Sequence, residues 1–171
     1  MYLPEHFDNG RPLPVFIMFH GFYNTAQHMQ TMDALVYQSE QVGGEFIVVH
    51  PQASEDCGRH NCESMGAWNA GGTARSPGSM GSTCDHNRRK FGHYPCYTSC
   101  QAGAGSLAPQ GCRDPCSSSS CVNDTALFET LIDHLEDTLC VDRRRIHVGG
   151  MSVGAIMAYS MISKFSDRLA S

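Results

Sequence analysis

Ser152 lies in the sequence pattern of this chain that is best suited to covalent chemistry. It is the centre of the pentapeptide Gly-Met-Ser-Val-Gly at positions 150–154, which follows an apolar run at 146–149 and precedes a helix-forming stretch at 155–159. A sharp turn between a strand and a helix tolerates almost no side chain on its flanks, and it lifts the serine hydroxyl above the sheet. The pattern therefore predicts Ser152 as a nucleophile and assigns Gly150 and Gly154 to the tight turn.

Acyl transfer through a serine also requires a base, a group that orients the base, and hydrogen-bond donors for the oxyanion. Two backbone donors are predicted, the N–H of Val153 at the start of the helix and the N–H of Phe22 just after the first apolar strand. Because these are main-chain groups, the two side chains need not be polar. The alternative for the segment 20–22 is an ordinary strand exit with a glycine at a turn.

Two apolar runs, at 15–19 and 46–50, predict strands that are buried on both faces of a sheet. Between them, apolar residues recur at helical spacing from Ala26 to about Gln41, and Gly43-Gly44 offers a stop. The first third of the chain therefore predicts one strand–helix–strand unit.

Residues 54–121 lose this periodicity and are rich in glycine, serine, proline and cysteine. Eight of the nine cysteines lie between Cys57 and Cys121, which favours an insertion stapled by disulfides. Cys140 is left over, either as a buried thiol at a helix end or as the partner of a cysteine outside this chain. The competing hypothesis is a zinc site formed by one of two sets, Cys57, His60 and Cys62 or Cys112, Cys116 and Cys121. Since neither set has a clean pair of C-x-x-C knuckles, we predict no metal and no cofactor.

Helical periodicity resumes with Asp124, which is predicted as an N-cap. The core face of this helix is predicted to carry leucines with two larger apolar residues beside them, namely Leu127, Leu131, Leu135 and Leu139 with Phe128 and Ile132. A strand with Ile146 and Val148 follows, and the helix after Ser152 runs toward Phe165. The triplet 123–125 also matches the N-glycosylation pattern, which is the alternative to a capping role.

The order strand, helix, strand, insertion, helix, strand, helix predicts a single α/β domain over residues 1–171, with a parallel sheet covered by helices on both faces. Catalytic groups in such sheets collect at the carboxyl ends of the strands. Both His20-Gly21 and Ser152 fall at such ends. The element order therefore agrees with the site that the motifs indicate.

The formal net charge of −5 gives no electrostatic footprint for nucleic acid, and the short basic clusters at 88–90 and 143–145 are interpreted as solvated loop charges. Apolar segments fall short of the length that spans a bilayer, and residues 1–10 lack the features of a signal peptide. The cysteine content nevertheless favours an extracellular location. We predict neither a nucleic-acid nor a membrane partner, and the sequence leaves the oligomeric state open.

Six motifs in a fixed order resemble the polyhydroxybutyrate depolymerase and feruloyl esterase family of α/β-hydrolases. They are Tyr2-Leu3-Pro4, His20-Gly21, Trp68-Asn69-Ala70-Gly71-Gly72, Val122-Asn123-Asp124, Val141-Asp142-Arg143-Arg144-Arg145-Ile146 and the pentapeptide at 150–154. The resemblance implies a partial α/β-hydrolase fold and a secreted serine esterase with Ser152 as nucleophile. It also implies a small-molecule or polymeric ester as substrate, either a polyester or an ester linked to plant polysaccharide.

The chain departs from this family at Ala155, Asn123 and Thr73, where relatives often have glycine, aspartate and cysteine. Trp68 is the only tryptophan of the sequence. Its place in the family-like segment indicates a position at the wall of the cleft, whereas a single large aromatic is more often a packing residue.

The catalytic triad of α/β-hydrolases continues after the serine with an acid and then a histidine on later strands. No histidine follows Ser152 in this sequence, and Asp167 comes too early to be the acid. His20 is interpreted as a structural histidine rather than a base. We therefore expect this chain to be part of a longer enzyme, truncated at both ends, and to show negligible ester turnover by itself.

Two other functional interpretations remain open from the sequence. The first is a catalytically inactive hydrolase scaffold whose cysteine-rich segment serves binding or adhesion. The second is a peptidase or lipase on the same fold.

Overall fold

The computed structural model describes residues 1–22, 24–54, 66–70, 99, 120 and 122–171. Strands and helices follow one another along these residues in the order β1 (Leu13–Phe19), α1 (Ala26–Asp33), α2 (Leu35–Gln41), β2 (Ile47–Val49), α3 (Asp124–Thr138), β3 (Val141–Gly150) and α4 (Val153–Lys164). The eight cysteines between Cys57 and Cys121 lie outside the described residues, and so do the predicted disulfides and the alternative zinc sets.

The strands form a parallel sheet in the order β2-β1-β3. β1 is central, and its Val15 pairs with Ile47 of β2 on one side and with Ile146 of β3 on the other. Since the strands run in the same direction, their carboxyl ends meet at one edge of the sheet, where His20, His50 and Ser152 follow them. The predicted α/β architecture with a parallel sheet is confirmed for the described residues.

β1 does not have the two buried faces that its apolar sequence predicts. Residues on one side of the strand are buried, whereas those between them are half-buried. The buried side packs in the core with Phe128 of α3 and Met157 of α4. On the other side, Phe16 stacks on the ring of His147 with a centroid separation of 4.8 Å. A continuous apolar run cannot distinguish these two environments, because it carries no polar residue to mark the less buried side.

The helix predicted over residues 26–41 is interrupted at Ala34, whose φ is 54°. The side chain of Asp33 explains the break. Its Oδ1 accepts the backbone N–H of Leu35 at 3.0 Å, and its Oδ2 lies 2.8 Å from Nε2 of His50. α2 ends at Gln41, and the two glycines of the predicted stop follow it with φ values of 77° and 76°.

The N-cap of α3 is Asn123. The sequence-based prediction of Asp124 is therefore wrong by one residue. The Oδ1 of Asn123 accepts the N–H of Ala126 at 3.2 Å, and Asp124 is the first residue of the helix. The predicted core face is also partly wrong, since Leu127 is 45% exposed. The fully buried apolar residues of α3 are Phe128, Ile132 and Leu135. The core face is therefore centred on Phe128 and Ile132 and not on the row of leucines.

Asp124 is a buried carboxylate that joins α3 to the segment 66–70. Its side chain lies in the core-facing first turn of the helix, and its Oδ2 accepts the backbone N–H of Asn69 at 2.6 Å. Its Oδ1 has no hydrogen-bond partner among the described residues. Burial disfavours the charged form and raises the pKa of Asp124 to about 6, although the bond from Asn69 opposes this effect.

The raised pKa predicts a pH-dependent effect of the substitution Asp124→Asn. A folded-state pKa above the unfolded value means that Asp124 stabilises the fold fully in acid, and that this contribution is lost as the pH rises through about 6. The difference between the two pKa values corresponds to at most about 3 kcal/mol. Asparagine keeps an oxygen for the N–H of Asn69 and carries no charge. The change in the free energy of unfolding caused by Asp124→Asn should therefore be more favourable at pH 8 than at pH 4, by about 1–3 kcal/mol.

Urea titrations of the two proteins at both pH values measure this effect, with Asp137→Asn on the exposed side of α3 as the control. An effect of Asp124→Asn that is the same at pH 4 and pH 8 would contradict a buried, unpaired carboxylate oxygen.

Both outer strands of the sheet carry further backbone hydrogen bonds. On β2, Tyr2 pairs with Val48 in an antiparallel bridge. On β3, the N–H of Ala170 donates to the carbonyl of Ile146 at 2.8 Å, and the N–H of Val148 donates to the carbonyl of Ser171 at 2.8 Å. The last residues of the chain therefore lie along the outer edge of β3.

Cys140 follows α3 as a half-buried thiol, and both roles expected for it stay predictions. In the part of the chain that the structure describes, no helix has both the length and the apolar character needed to cross a membrane.

Candidate active site

Ser152 lies at the junction of β3 and α4 with φ 54° and ψ −121°. Two backbone hydrogen bonds hold this turn: the N–H of Met151 donates to the carbonyl of Phe19 at 3.1 Å, and the N–H of Gly154 donates to the carbonyl of Met151 at 2.9 Å. Ser152 is exposed, and its hydroxyl has no hydrogen-bond partner among the described residues. The hydroxyl is therefore presented to solvent by a backbone conformation that a residue with a Cβ adopts only under strain.

The strain at Ser152 predicts that Ser152→Gly stabilises the protein. Glycine reaches this backbone conformation without a steric penalty, so the substitution should raise the free energy of unfolding by about 1 kcal/mol after the loss of backbone entropy is included. Ser152→Ala keeps the Cβ and should leave the free energy of unfolding within about 0.5 kcal/mol of the parent value. Thermal unfolding of the three proteins separates the two effects, and equal stability of the glycine and alanine variants would show that the turn is unstrained.

The two glycines of the pentapeptide are required by close backbone approaches. A Cβ on Gly150 would lie 2.5 Å from the carbonyl carbon and oxygen of Gly154 and 2.8 Å from the carbonyl oxygen of Phe19. A Cβ on Gly154 would lie 2.5 Å from the carbonyl oxygen of His20 and still closer to that of Phe19. Because the obstructing atoms are backbone atoms, no side-chain rearrangement can relieve these contacts. The turn therefore packs directly against the carboxyl end of β1.

The predicted oxyanion loop lies next to the predicted nucleophile. A Cβ on Gly21 would lie 3.5 Å from the Cβ of Ser152 and 3.3 Å from the carbonyl oxygen of Met151. Phe22 is the next residue after this contact and is half-buried against the core. On the other side of Ser152, the N–H of Val153 is the first of α4 and has no acceptor among the described residues. The fold thus brings both segments that carry the predicted donors to Ser152.

His20 is buried and fully engaged, as expected for a structural histidine. Its Nδ1 lies 2.8 Å from the carbonyl oxygen of Gly21 and therefore donates to it, while its Nε2 accepts the backbone N–H of Ala53 at 3.0 Å. This bonding holds the ring in the Nδ1–H tautomer. Since the lone pair of Nε2 faces Ala53, the ring has no nitrogen available to take a proton from Ser152.

Trp68 does not line a cleft, and the hypothesis of a cleft wall is wrong. The indole is 0% exposed and packs edge-on against Phe19 with a centroid separation of 5.1 Å. Its Nε1 donates to the carbonyl oxygen of His20 at 2.9 Å. The burial of a large ring with one satisfied polar atom is the usual role of tryptophan in a core. Trp68 therefore helps to fix the backbone at His20, the residue before Gly21.

A general base and its orienting acid are not found among the described residues. His50 pairs with Asp33, and the Nδ1 of His147 lies 2.8 Å from the Oγ of Ser171. His134 and Asp167 lie on exposed surfaces. None of these groups forms a hydrogen bond with Ser152. In the described ranges, no three histidine, cysteine or carboxylate side chains cluster as metal ligands would.

Gln52 is the residue at this site that sequence analysis did not single out. It lies just beyond the carboxyl end of β2, and its side chain bonds Ala26 and Ala53 and lies beside the ring of His20. A glutamine in an irregular segment carries no spacing or motif that marks it. The only signal is its position at the same edge of the sheet as Gly21 and Ser152.

No family model matches this sequence, and no curated protein matches it. Among solved structures, the chain is similar to the acetyl xylan esterase from Aspergillus awamori, with 16% sequence identity and a TM-score of 0.55. The match covers 99% of this chain and 43% of the esterase, so the chain spans less than half the length of that enzyme. The likeness shows a shared fold, and this chain therefore has the fold of that esterase over the part that it spans.

Proposed function

We propose that this chain carries the nucleophile of a serine carboxylic-ester hydrolase that works through an acyl-enzyme. The observation that supports the proposal most is the exposed hydroxyl of Ser152, held on a strained turn against the backbone at Gly21. Strain of this kind persists only where the surrounding structure enforces it, and it is found mainly at functional sites. A nucleophile gains access to substrate and proximity to main-chain donors from this turn, whereas a structural serine gains neither.

In the proposed reaction, the Oγ of Ser152 forms a bond to the ester carbonyl carbon while its proton passes to a general base. The N–H groups of Val153 and Phe22 stabilise the negative charge that develops on the carbonyl oxygen. The bond to the alcohol oxygen then breaks, the alcohol leaves with the proton held by the base, and the acyl group remains on Ser152. Water, deprotonated by the same base, attacks the acyl group, releases the acid and regenerates the serine.

The proposed substrates are esters linked to plant polysaccharides, or polyesters. The motifs shared with polyhydroxybutyrate depolymerases and feruloyl esterases support this substrate class, and the structural neighbour is an enzyme named for acetyl xylan. We propose in addition that the enzyme is secreted and that the cysteines between Cys57 and Cys121 form disulfides, since this density of cysteine is typical of oxidising compartments. The reaction needs no cofactor.

Labelling with a fluorophosphonate probe tests the proposal, because such probes react with an activated serine. In the full-length protein we expect one major adduct, on the tryptic peptide that spans residues 146–164 between Arg145 and the cleavage after Lys164. This peptide also contains Ser160 and Ser163, so fragment spectra must place the adduct on Ser152. Prior incubation with a p-nitrophenyl ester should slow the labelling, since both reagents compete for the same hydroxyl.

An unlabelled Ser152 in folded full-length protein would contradict the proposal and favour the inactive scaffold. Where labelling succeeds, release of acid from acetylated xylan, a feruloyl ester and polyhydroxybutyrate separates the substrate classes. A preference for peptide or long-chain triglyceride substrates would instead favour a peptidase or lipase.

A further inference from the structure

We propose that Gln52 is a positioning residue, which holds the loop carrying the Phe22 donor against the Ser152 turn; this inference rests on the proposed esterase function. The described residues of this loop are 20–22 and 24–26, between the end of β1 and the start of α1. Gln52 lies outside the loop, beyond the carboxyl end of β2. Its side chain reaches both ends of the loop.

Three close approaches define the position of the Gln52 amide. Its Oε1 accepts the backbone N–H of Ala26, the first residue of α1, at 2.7 Å. Its Nε2 donates to the carbonyl oxygen of Ala53 at 3.2 Å and lies 3.3 Å from the Nε2 of His20. The oxygen therefore holds the far end of the loop, and the nitrogen lies against the ring that holds the near end.

The chemistry of these partners fixes the orientation of the amide. The backbone N–H of Ala26 can only donate, so the atom facing it must be the amide oxygen. The carbonyl of Ala53 can only accept, and the Nε2 of His20 is an acceptor in the tautomer that the carbonyl of Gly21 imposes. One N–H of the amide nitrogen therefore donates to the carbonyl of Ala53, while the other lies beside the Nε2 of His20, whose single lone pair already accepts the N–H of Ala53. An uncharged amide thus satisfies the donor at Ala26 and the acceptor at Ala53 together.

The position of the loop matters because an oxyanion donor acts only within a narrow distance of the developing charge. Phe22 lies between the two ends that Gln52 bridges, and Gly21 contacts Ser152. Other bonds hold the near end as well, since Trp68 bonds the carbonyl of His20. The bonds of Asn24 and Thr25 at the far end go to each other and to α1, whereas Gln52 bonds this end to the segment that follows β2. Loss of the Gln52 oxygen should therefore let the segment between Gly21 and Ala26 move and weaken transition-state stabilisation more than substrate binding.

Gln52 is suited to a mutational test because it is exposed and is not part of the hydrophobic core. In the full-length enzyme we expect Gln52→Ala to lower kcat for a p-nitrophenyl ester about 10- to 100-fold, since complete loss of an oxyanion donor lowers it about 100- to 1000-fold. KM should change less than about twofold, because the interaction is used mainly in the transition state.

Ser39→Ala is the matched control. The Oγ of Ser39 donates to the carbonyl of Phe46 at 2.8 Å, so this substitution also removes a side chain–backbone hydrogen bond next to β2, but at the end of the strand away from Gln52. It should lower the thermal stability and leave kcat close to the parent value. Equal falls in kcat for the two variants, or an unchanged kcat in Gln52→Ala, would overturn the proposal.

Gln52→Glu supplies a pH signature that general destabilisation would not produce. An ionised glutamate keeps an acceptor for Ala26 but places a second oxygen against the carbonyl of Ala53 and the lone pair of His20. Protonation restores one donor. The ratio of its kcat to that of the parent enzyme should therefore rise as the pH falls from 8 to about 4, through the ordinary pKa of a glutamate, whereas the ratio for Ser39→Ala should stay flat. A pH-independent ratio for Gln52→Glu would also overturn the proposal.

The outcomes separate this inference from the function on which it rests. If Ser152 is labelled and Ser152→Ala is inactive, a normal kcat in Gln52→Ala removes only the role of Gln52. If Ser152 is not labelled, the esterase proposal itself fails. Amide hydrogen exchange in the 171-residue chain then still reports whether the N–H of Ala26 loses protection in Gln52→Ala, which tests the structural part of the inference without activity.

Discussion

Under the proposed esterase function, Ser152→Ala is expected to lower kcat/KM of the full-length protein for a p-nitrophenyl ester by about four to six orders of magnitude, because removal of a serine nucleophile leaves only binding and the oxyanion donors. The hydroxyl is exposed and unpartnered among the described residues, so its loss removes no structural hydrogen bond. The backbone at this position already accommodates a Cβ. Alanine should therefore remove the chemistry and leave the free energy of unfolding nearly unchanged.

Ser163→Ala is the appropriate control for this experiment. Ser163 is an exposed serine near the other end of α4 and lies in the same tryptic peptide. Its replacement should change neither kcat nor the position of the fluorophosphonate adduct. Residual activity of Ser152→Ala above about one percent of the parent value would identify a different nucleophile.

The turn at Ser152 between β3 and α4 could be predicted from sequence because its constraints are local. Gly150 and Gly154 are spaced so that the strand and the helix cross with no side chain between them, and the apolar residues on either side define the two elements. The contact between Gly21 and Ser152 followed from topology, since parallel strands place their carboxyl ends together. These parts of the site depend on backbone geometry, which glycine and apolar patterns record.

Features that depend on a particular side-chain contact were not predicted. The break at Ala34 arises because Asp33 bonds both Leu35 and His50, and His50 is distant in sequence. Asn123 caps α3, and the buried side chain of Asp124 instead accepts the backbone N–H of Asn69. A composition pattern contains no information about such long-range partners, so the sequence placed the helix correctly and its first turn incorrectly.

Trp68 and Gln52 show the same difference in the candidate active site. Trp68 was conspicuous in the sequence, yet its ring is buried and acts through a bond to the carbonyl of His20. Gln52 was inconspicuous, yet its amide lies where two loops meet. The rarity of tryptophan therefore did not indicate whether its ring lines a cleft or packs in the core.

Gly154→Ala is expected to have the largest effect on folding of any single methyl group added at the site. The new Cβ would collide with the carbonyl oxygens of Phe19 and His20, which are backbone atoms at the end of β1. α4 would have to move away from the sheet and carry Ser152 and Val153 with it. We expect a loss of about 2–4 kcal/mol in the free energy of unfolding, together with the loss of fluorophosphonate labelling in any protein that remains folded.

Gly149→Ala is the matched comparison for this substitution, because it adds the same methyl group five residues earlier in the chain. Its Cβ would approach the Sδ and Cε atoms of Met18 at 2.9 and 3.1 Å, and these atoms form the far end of a flexible side chain that can move. The free energy of unfolding should fall by less than about 1 kcal/mol, and Ser152 should still be labelled. Urea unfolding of both variants decides the point. If the two substitutions destabilise the protein equally, helix α4 does not pack against β1 as closely as the turn at Ser152 requires, and the presentation of the hydroxyl must have another cause.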